Sequence, residues 1–170
     1  MTAGTENAVS AVLPRLVAAL DGIVALCDDL RSVLERERAA LTAGKDADLA
    51  LALGEKRDRL RRIGEREEER RRASVDVCEA LGMGAADAPL AEVARRLEGP
   101  ALEQLVQIKD RLFRAMQEVT ALNQCNAQLI RRAQHYNRHL IGLLAGSGPD
   151  TYGPDGGRTA GIPRLFQKRV

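Results

Sequence analysis

Two histidines in this sequence are four residues apart, a spacing that suits a metal-binding pair. His135 and His139 would project from the same face of a helix, and such a pair can chelate a metal ion. The glutamate of an HExxH motif is absent, and no carboxylate or cysteine lies within one helical turn of either histidine. We therefore interpret them as surface or boundary histidines and predict neither a metal site nor a cofactor.

Patterns that accompany catalysis are missing from the rest of the sequence. The glycine pairs near the C-terminus lack the strand–turn–helix context of a phosphate-binding loop. Cys27, Cys78 and Cys125 are widely spaced, which fits neither a disulfide framework nor a zinc site and is typical of a reducing cytoplasm. We expect a soluble cytoplasmic protein that is not an enzyme and has neither a signal peptide nor a transmembrane span.

The composition favours long helices. Among 170 residues, 45% are apolar and 29% charged, but only 2% are aromatic. This mixture of Ala, Leu, Glu and Arg is typical of coiled coils and long helices. The net charge is only +2, and aromatic platforms for bases are absent, so we expect no nucleic-acid partner.

Apolar residues that alternate at three- and four-residue steps predict four helices, at about 11–42, 47–81, 89–98 and 101–145. We expect Gly44 to end the first helix and Asp46 or Asp48 to cap the second. Short connections between them favour an all-α, elongated antiparallel bundle or coiled coil of three main helices with one short extra helix. We expect this helical domain to cover residues 1–145, with the first ten frayed. Glycine and proline crowd residues 146–170, which predicts a flexible C-terminal tail.

The segment 65–72 lies in the middle of the second predicted helix and contains only glutamate and arginine. Opposite charges fall three or four residues apart there, which supports a helix without an apolar face. Because the two signs interleave, we interpret the segment as a solvated stretch of helix rather than a nucleic-acid patch.

Polar residues interrupt the apolar stripe of two helices. Glu37 breaks the stripe of the first helix, and Asn126, within the segment LNQCNAQLI, breaks that of the last. A buried asparagine costs stability and is tolerated where it fixes register or partner number. Asn126 could make a polar contact across the bundle or, with Asn123, belong to a surface that specifies a partner, and the two interpretations weigh about equally.

Beyond Asn126 the apolar face of the last helix widens. Its members are Leu129, Ile130, Leu140, Ile141, Leu143 and Leu144. Either this end of the helix packs against two neighbours or it leaves an apolar strip for a partner helix. The first interpretation, in which all these residues are core, is the default.

Taken with the tail, these segments resemble the C-terminal half of FlgN-family flagellar export chaperones. The family pattern is Leu-Asn-x-x-Asn, then the end of a helix, then Tyr-Gly-x-x-Gly. This sequence matches it with Leu122, Asn123 and Asn126, followed by Tyr152, Gly153 and Gly156.

The resemblance implies a cytoplasmic, non-enzymatic chaperone that holds hook-associated (hook–filament junction) proteins, prevents their premature assembly and delivers them to the type III export gate. It places client binding on the C-terminal helix, at Asn123, Asn126, Leu129, Ile130, Leu140, Ile141 and Leu144. It places docking to the cytoplasmic domain of the gate at Tyr152, Gly153 and Gly156. Such a chaperone would not insert into a membrane.

A protein of another class is the alternative. In a homo-oligomeric structural coiled coil, Asn126 would set the register between identical helices. Such a protein would have no use for Tyr152, whereas a chaperone that keeps its apolar face open would self-associate weakly at most.

Overall fold

The computed structural model describes residues 3–84 and 87–144. All regular structure in these two ranges is helical, as predicted. It consists of α1 (Ala3–Ala43), α2 (Asp46–Ala80), α3 (Leu90–Arg96) and α4 (Gly99–Leu144). The predicted tail, with Tyr152, Gly153 and Gly156, lies outside the described residues.

The first helix begins eight residues earlier than the sequence pattern predicted. Residues 3–10 are helical rather than frayed, because Val9 continues the apolar stripe that includes Leu13 and Leu16 and is only 1% exposed. Pro14 lies inside the helix on its exposed side, where water can bond the backbone carbonyl that proline leaves without a donor.

By length and composition α1 would also pass for a membrane-spanning helix. Most of its large apolar side chains are nevertheless buried within the bundle, with Leu16, Leu20 and Leu34 fully inaccessible. This burial is typical of a core helix in a helical bundle. It therefore does not contradict the prediction that the chain has no transmembrane span.

Glycines in the left-handed conformation end both α1 and α2. After α1, Gly44 has φ 65°, and the Lys45 amide donates to the Ala40 carbonyl at 3.0 Å. After α2, Gly82 has φ 67°, and the Met83 amide donates to the Cys78 carbonyl at 2.9 Å. This is the glycine-terminated helix end predicted at Gly44.

The start of α2 differs from the sequence interpretation, in which Asp46 or Asp48 caps the helix. The capping position is Lys45, and its side chain makes no capping hydrogen bond. Both aspartates lie in the first turn instead, where the helix dipole favours negative charge.

Ion pairs show that α2 runs antiparallel to α1. Arg15 pairs with Asp76 at 2.9 Å and Arg59 with Asp29 at 3.4 Å, so rising numbers on one helix meet falling numbers on the other. Arg36 also pairs with Glu55 near the connection between the helices. Short links therefore fold the chain back on itself, as expected.

The charged segment of α2 is helical and forms ion pairs within itself, as predicted. Arg70 pairs with Glu67 three residues away at 2.9 Å, and Arg71 with Glu68 at the same distance. Arg70 is less solvated than predicted, because it also pairs with Asp87 at 3.0 Å and its side chain is 13% exposed.

Within residues 1–126, which form one compact unit, α4 runs parallel to α1. Arg111 of α4 pairs with Asp21 at 2.7 Å, and Glu118 pairs with Arg31 at 3.1 Å. The core of this unit combines α1 side chains with Val77 and Cys78 of α2, Val93 of α3, and Leu105 and Ile108 of α4. Residues 127–170 form the second unit, in which the described range 127–144 is the end of α4.

Candidate functional site

A polar cluster, two of whose members are fully buried, joins the three long helices in the first unit. It consists of Glu37 on α1, Lys56 on α2, and Asn123 and Asn126 on α4. Glu37 and Asn126 are each 1% exposed, so both stripe positions that the sequence marked as polar are fully buried. The two residues meet each other across the bundle.

Asn126 uses its amide group to connect α4 to α1. Its Nδ2 donates to the backbone carbonyl of Leu34 at 2.8 Å and to Oε2 of Glu37 at 3.0 Å. Its Oδ1 is buried without a hydrogen-bond partner among the described residues. Of the two interpretations that the sequence left open, the structure shows the intramolecular polar contact.

Lys56 occupies the centre of the cluster. Its ammonium donates to the Glu37 carboxylate at 3.1 and 3.3 Å and to Oδ1 of Asn123 at 2.8 Å. The lysine side chain is 21% exposed, so water reaches one side of the ion pair while the carboxylate is sealed. Such a cluster fixes how the helices align, because any slip would leave a buried charge unpaired.

The end of α4, residues 127–144, has a different character. Every residue from 131 to 141 is exposed. We define the α4 strip as the large apolar side chains exposed here. They are Tyr136 (62%), Leu140 (37%), Ile141 (64%), Leu143 (52%) and Leu144 (68%).

The default interpretation of this end as core is therefore wrong for Leu140, Ile141, Leu143 and Leu144, while Leu129 and Ile130 are half-buried. The helical repeat predicted by the stripe continues, but no side chain in residues 3–84 or 87–144 buries these four leucine and isoleucine residues. An apolar helix face that stays exposed is a surface that another helix can cover.

The predicted client-binding residues thus fall into separate settings. Asn123 is exposed and Asn126 buried in the polar cluster, whereas Leu140, Ile141 and Leu144 are exposed on the α4 strip. Sequence reasoning missed Lys56, which a hydrophobicity pattern registers only as a charged residue. It also missed the exposure of Phe113 (60%) and Met116 (53%) on α4.

The two histidines are both exposed on α4. Across residues 3–84 and 87–144, no group of three or more His, Cys, Asp or Glu side chains is arranged to hold a metal ion. Burial raises the pKa of the Cys27 thiol, with a further rise from neighbouring Asp28, which makes this thiol a poor nucleophile.

Comparison with known proteins tests the resemblance of the LNQCN and TYGPDG segments to FlgN-family proteins. The family model described as FlgN protein matches residues 12–160, which include most of the helical region and both motifs. No curated protein and no solved structure gives a significant match. The family is one of flagellar chaperones rather than enzymes, and its match over most of this sequence shows that the chain belongs to the FlgN family.

Proposed function

We propose that this protein binds hook-associated (hook–filament junction) proteins in the cytoplasm, prevents their premature assembly and delivers them to the flagellar export gate. Membership of the FlgN family supports a flagellar export chaperone in general. The observation that carries the specific proposal is the α4 strip, five large apolar side chains exposed at the end of one helix.

The chemistry of the strip suits a client that must be released. Leu144 lies four residues after Leu140 and three after Ile141, so it shares a helix face with both, and an apolar helix laid alongside would cover them together. Burying each such side chain contributes about 1–2 kcal/mol, from which the cost of association is subtracted, so the contact is reversible. We infer that Leu129 and Ile130 extend this surface. The Leu-Asn-x-x-Asn pattern alone adds Asn123 and Asn126 to the proposed client-binding residues.

Co-purification from the native cytoplasm tests client binding. The variant Leu144→Asp should lose the hook-associated protein that the unchanged chain recovers, because it places a charge within the apolar contact. Leu51→Asp is the matched control, since Leu51 on α2 has the same 68% exposure. Equal recovery with both variants, or recovery of no flagellar protein with the unchanged chain, would contradict the proposal.

For delivery to the gate we propose Tyr152, with Gly153 and Gly156, on the strength of the Tyr-Gly-x-x-Gly pattern. Tyr152→Ala should leave folding and client recovery intact but reduce secretion of the client. A sharp fall in thermal stability instead would identify Tyr152 as a core residue and remove it from the docking site.

The homo-oligomeric coiled coil loses its main support. In that hypothesis Asn126 pairs between identical chains, whereas here its amide donates to Leu34 and Glu37 of the same chain. We therefore expect weak self-association at most, which light scattering coupled to size-exclusion chromatography measures directly. A stable dimer or larger assembly at micromolar concentration would revive the coiled-coil hypothesis.

A further inference from the structure

The end of α4 differs in charge from the rest of the chain. No acidic residue occurs between Glu118 and Asp150, although the whole sequence carries 24 acidic residues against 26 basic ones. The same stretch contains Arg131, Arg132 and Arg138. Whereas α2 pairs its arginines with acids three or four residues away, none of these three forms an ion pair within the described parts of the chain.

Two of these arginines border the α4 strip. Arg132 lies four residues before Tyr136, and Arg138 lies three residues before Ile141, so each is the surface neighbour of a strip residue. The helix dipole does not account for them, because its effect is confined to the last turn and no basic residue lies there. The strip is therefore an apolar face with positive charge on its borders.

We propose that the occupant of the α4 strip is a helix of the client protein whose apolar stripe is bordered by aspartate or glutamate. This inference rests on the proposed function and specifies the chemistry of the segment bound there. A complementary helix would cover the apolar residues and provide carboxylates for Arg132 and Arg138, as in coiled coils whose flanking charges select the partner. From Leu129 to Leu144 the surface is about 22 Å long, which corresponds to about four turns of such a helix.

An anionic membrane surface is the other class of partner for a basic apolar helix. Helices recruited to anionic membranes carry clusters of about four to eight lysines and arginines, whereas this segment has three arginines. The polar side of this segment is otherwise uncharged at Gln128, Gln134 and Asn137, unlike the lysine-rich and arginine-rich faces of membrane-binding helices. The charges therefore favour a protein helix.

Two synthetic helical peptides test the proposal with the full chain. Both carry the same leucine stripe over about 21 residues, or about six turns, and differ only in having glutamate or lysine at the flanking positions. Fluorescence anisotropy should show the glutamate peptide binding about tenfold more tightly at low salt, with the difference falling as salt screens the charges.

Charge-reversal variants show whether the named arginines cause the preference. R132E/R138E should abolish or invert it, and R132K/R138K should keep it, because the charge rather than the guanidinium shape is at issue. R57E/R62E, at two exposed positions of α2, makes the same change in net charge and should behave like the unchanged chain. Circular dichroism of each variant confirms that the helices are intact.

The outcomes separate this inference from the proposed function. Equal binding of both peptides would overturn the acidic partner, while loss of the hook-associated protein from Leu144→Asp would still support the chaperone site. Conversely, recovery of no flagellar protein would overturn the proposed function whatever the peptides do. Tighter binding to vesicles of phosphatidylcholine and phosphatidylglycerol than to the glutamate peptide would overturn the acidic partner in favour of a membrane.

Discussion

Replacing Lys56 by methionine would remove the cation from the polar cluster while keeping the length of the side chain. The Glu37 carboxylate, 1% exposed, would then keep the Asn126 amide as its hydrogen-bond donor in the cluster. The lysine ammonium now lies 3.1 and 3.3 Å from its two oxygens. The variant therefore isolates the contribution of one charge to the alignment of three helices.

The burial of the two partners determines the expected cost. Breaking a fully buried ion pair by removing one partner costs about 3–5 kcal/mol. Because Lys56 is 21% exposed, water already screens its side of the pair, and we expect about 2–3 kcal/mol of the free energy of unfolding to be lost. In a chain of this size that lowers the melting temperature by about 4–12 °C.

Urea and thermal unfolding followed by circular dichroism measure this loss, and a triple variant is the control. E37L/K56M/N126L replaces the ion pair and the buried amide with apolar side chains and leaves only the amide of Asn123, which is exposed to water. It should unfold within about 1 kcal/mol of the unchanged chain, because buried ion pairs are often no more stabilising than a well-packed apolar substitute.

Two results would refute this reasoning. If K56M lost less than about 0.5 kcal/mol, the pair would behave like an ordinary exposed one and the burial of Glu37 would be irrelevant. If the triple variant were as unstable as K56M, the loss would come from packing rather than from an unpaired charge.

Three further predictions concern single positions. Burial alone would raise the pKa of Asp87, but hydrogen bonds from the Arg70 guanidinium hold this pKa below its ordinary value. Asp87→Asn should therefore lower the free energy of unfolding by about 1 kcal/mol at pH 7, as measured in urea. This difference between the variant and the unchanged chain should shrink as pH falls below about 4 and vanish once the folded carboxylate is protonated. Gly44 has φ 65° and open space around it, so Gly44→Ala should cost about 1 kcal/mol through backbone strain alone, whereas an unchanged melting temperature would show that the turn relaxes. Asn126→Asp would place a second carboxylate beside buried Glu37 and lower the melting temperature, whereas Asn123→Asp would strengthen the contact with Lys56. Equal effects of the two substitutions on the melting temperature would contradict the assigned donor and acceptor roles.

The helices of this protein were predictable because a long three-four alternation of apolar residues matches the period of a helix and not that of a strand. Gly44 ended α1 where expected, since only glycine adopts that conformation without strain. The start of α1 was missed because small residues around 3–10 resemble a frayed end, although Val9 lies four residues before Leu13 on the same stripe. A single apolar residue at the correct spacing was the available signal.

The exposure of the α4 strip was not predictable, for a physical reason. A stripe at helical spacing has the same sequence pattern whether neighbouring helices cover it or leave it free. The stripe continues through Leu140 and Leu143, yet Asn126 is the last fully buried residue of α4. Which part of a long apolar face is covered depends on the lengths of the other helices, and a residue pattern within one helix does not contain that information.

The polar cluster gives a physical reason for both asparagines of the Leu-Asn-x-x-Asn pattern. Their three-residue spacing places them on neighbouring positions of the helix surface, where they reach the same ion pair. Asn123 accepts a hydrogen bond from Lys56, and Asn126 donates one to Glu37. One side chain must supply an oxygen and the other an N–H, and asparagine is the short side chain that carries both. Aspartate could replace only Asn123, and leucine could replace neither, so the alignment of the helices within this chain accounts for both asparagines.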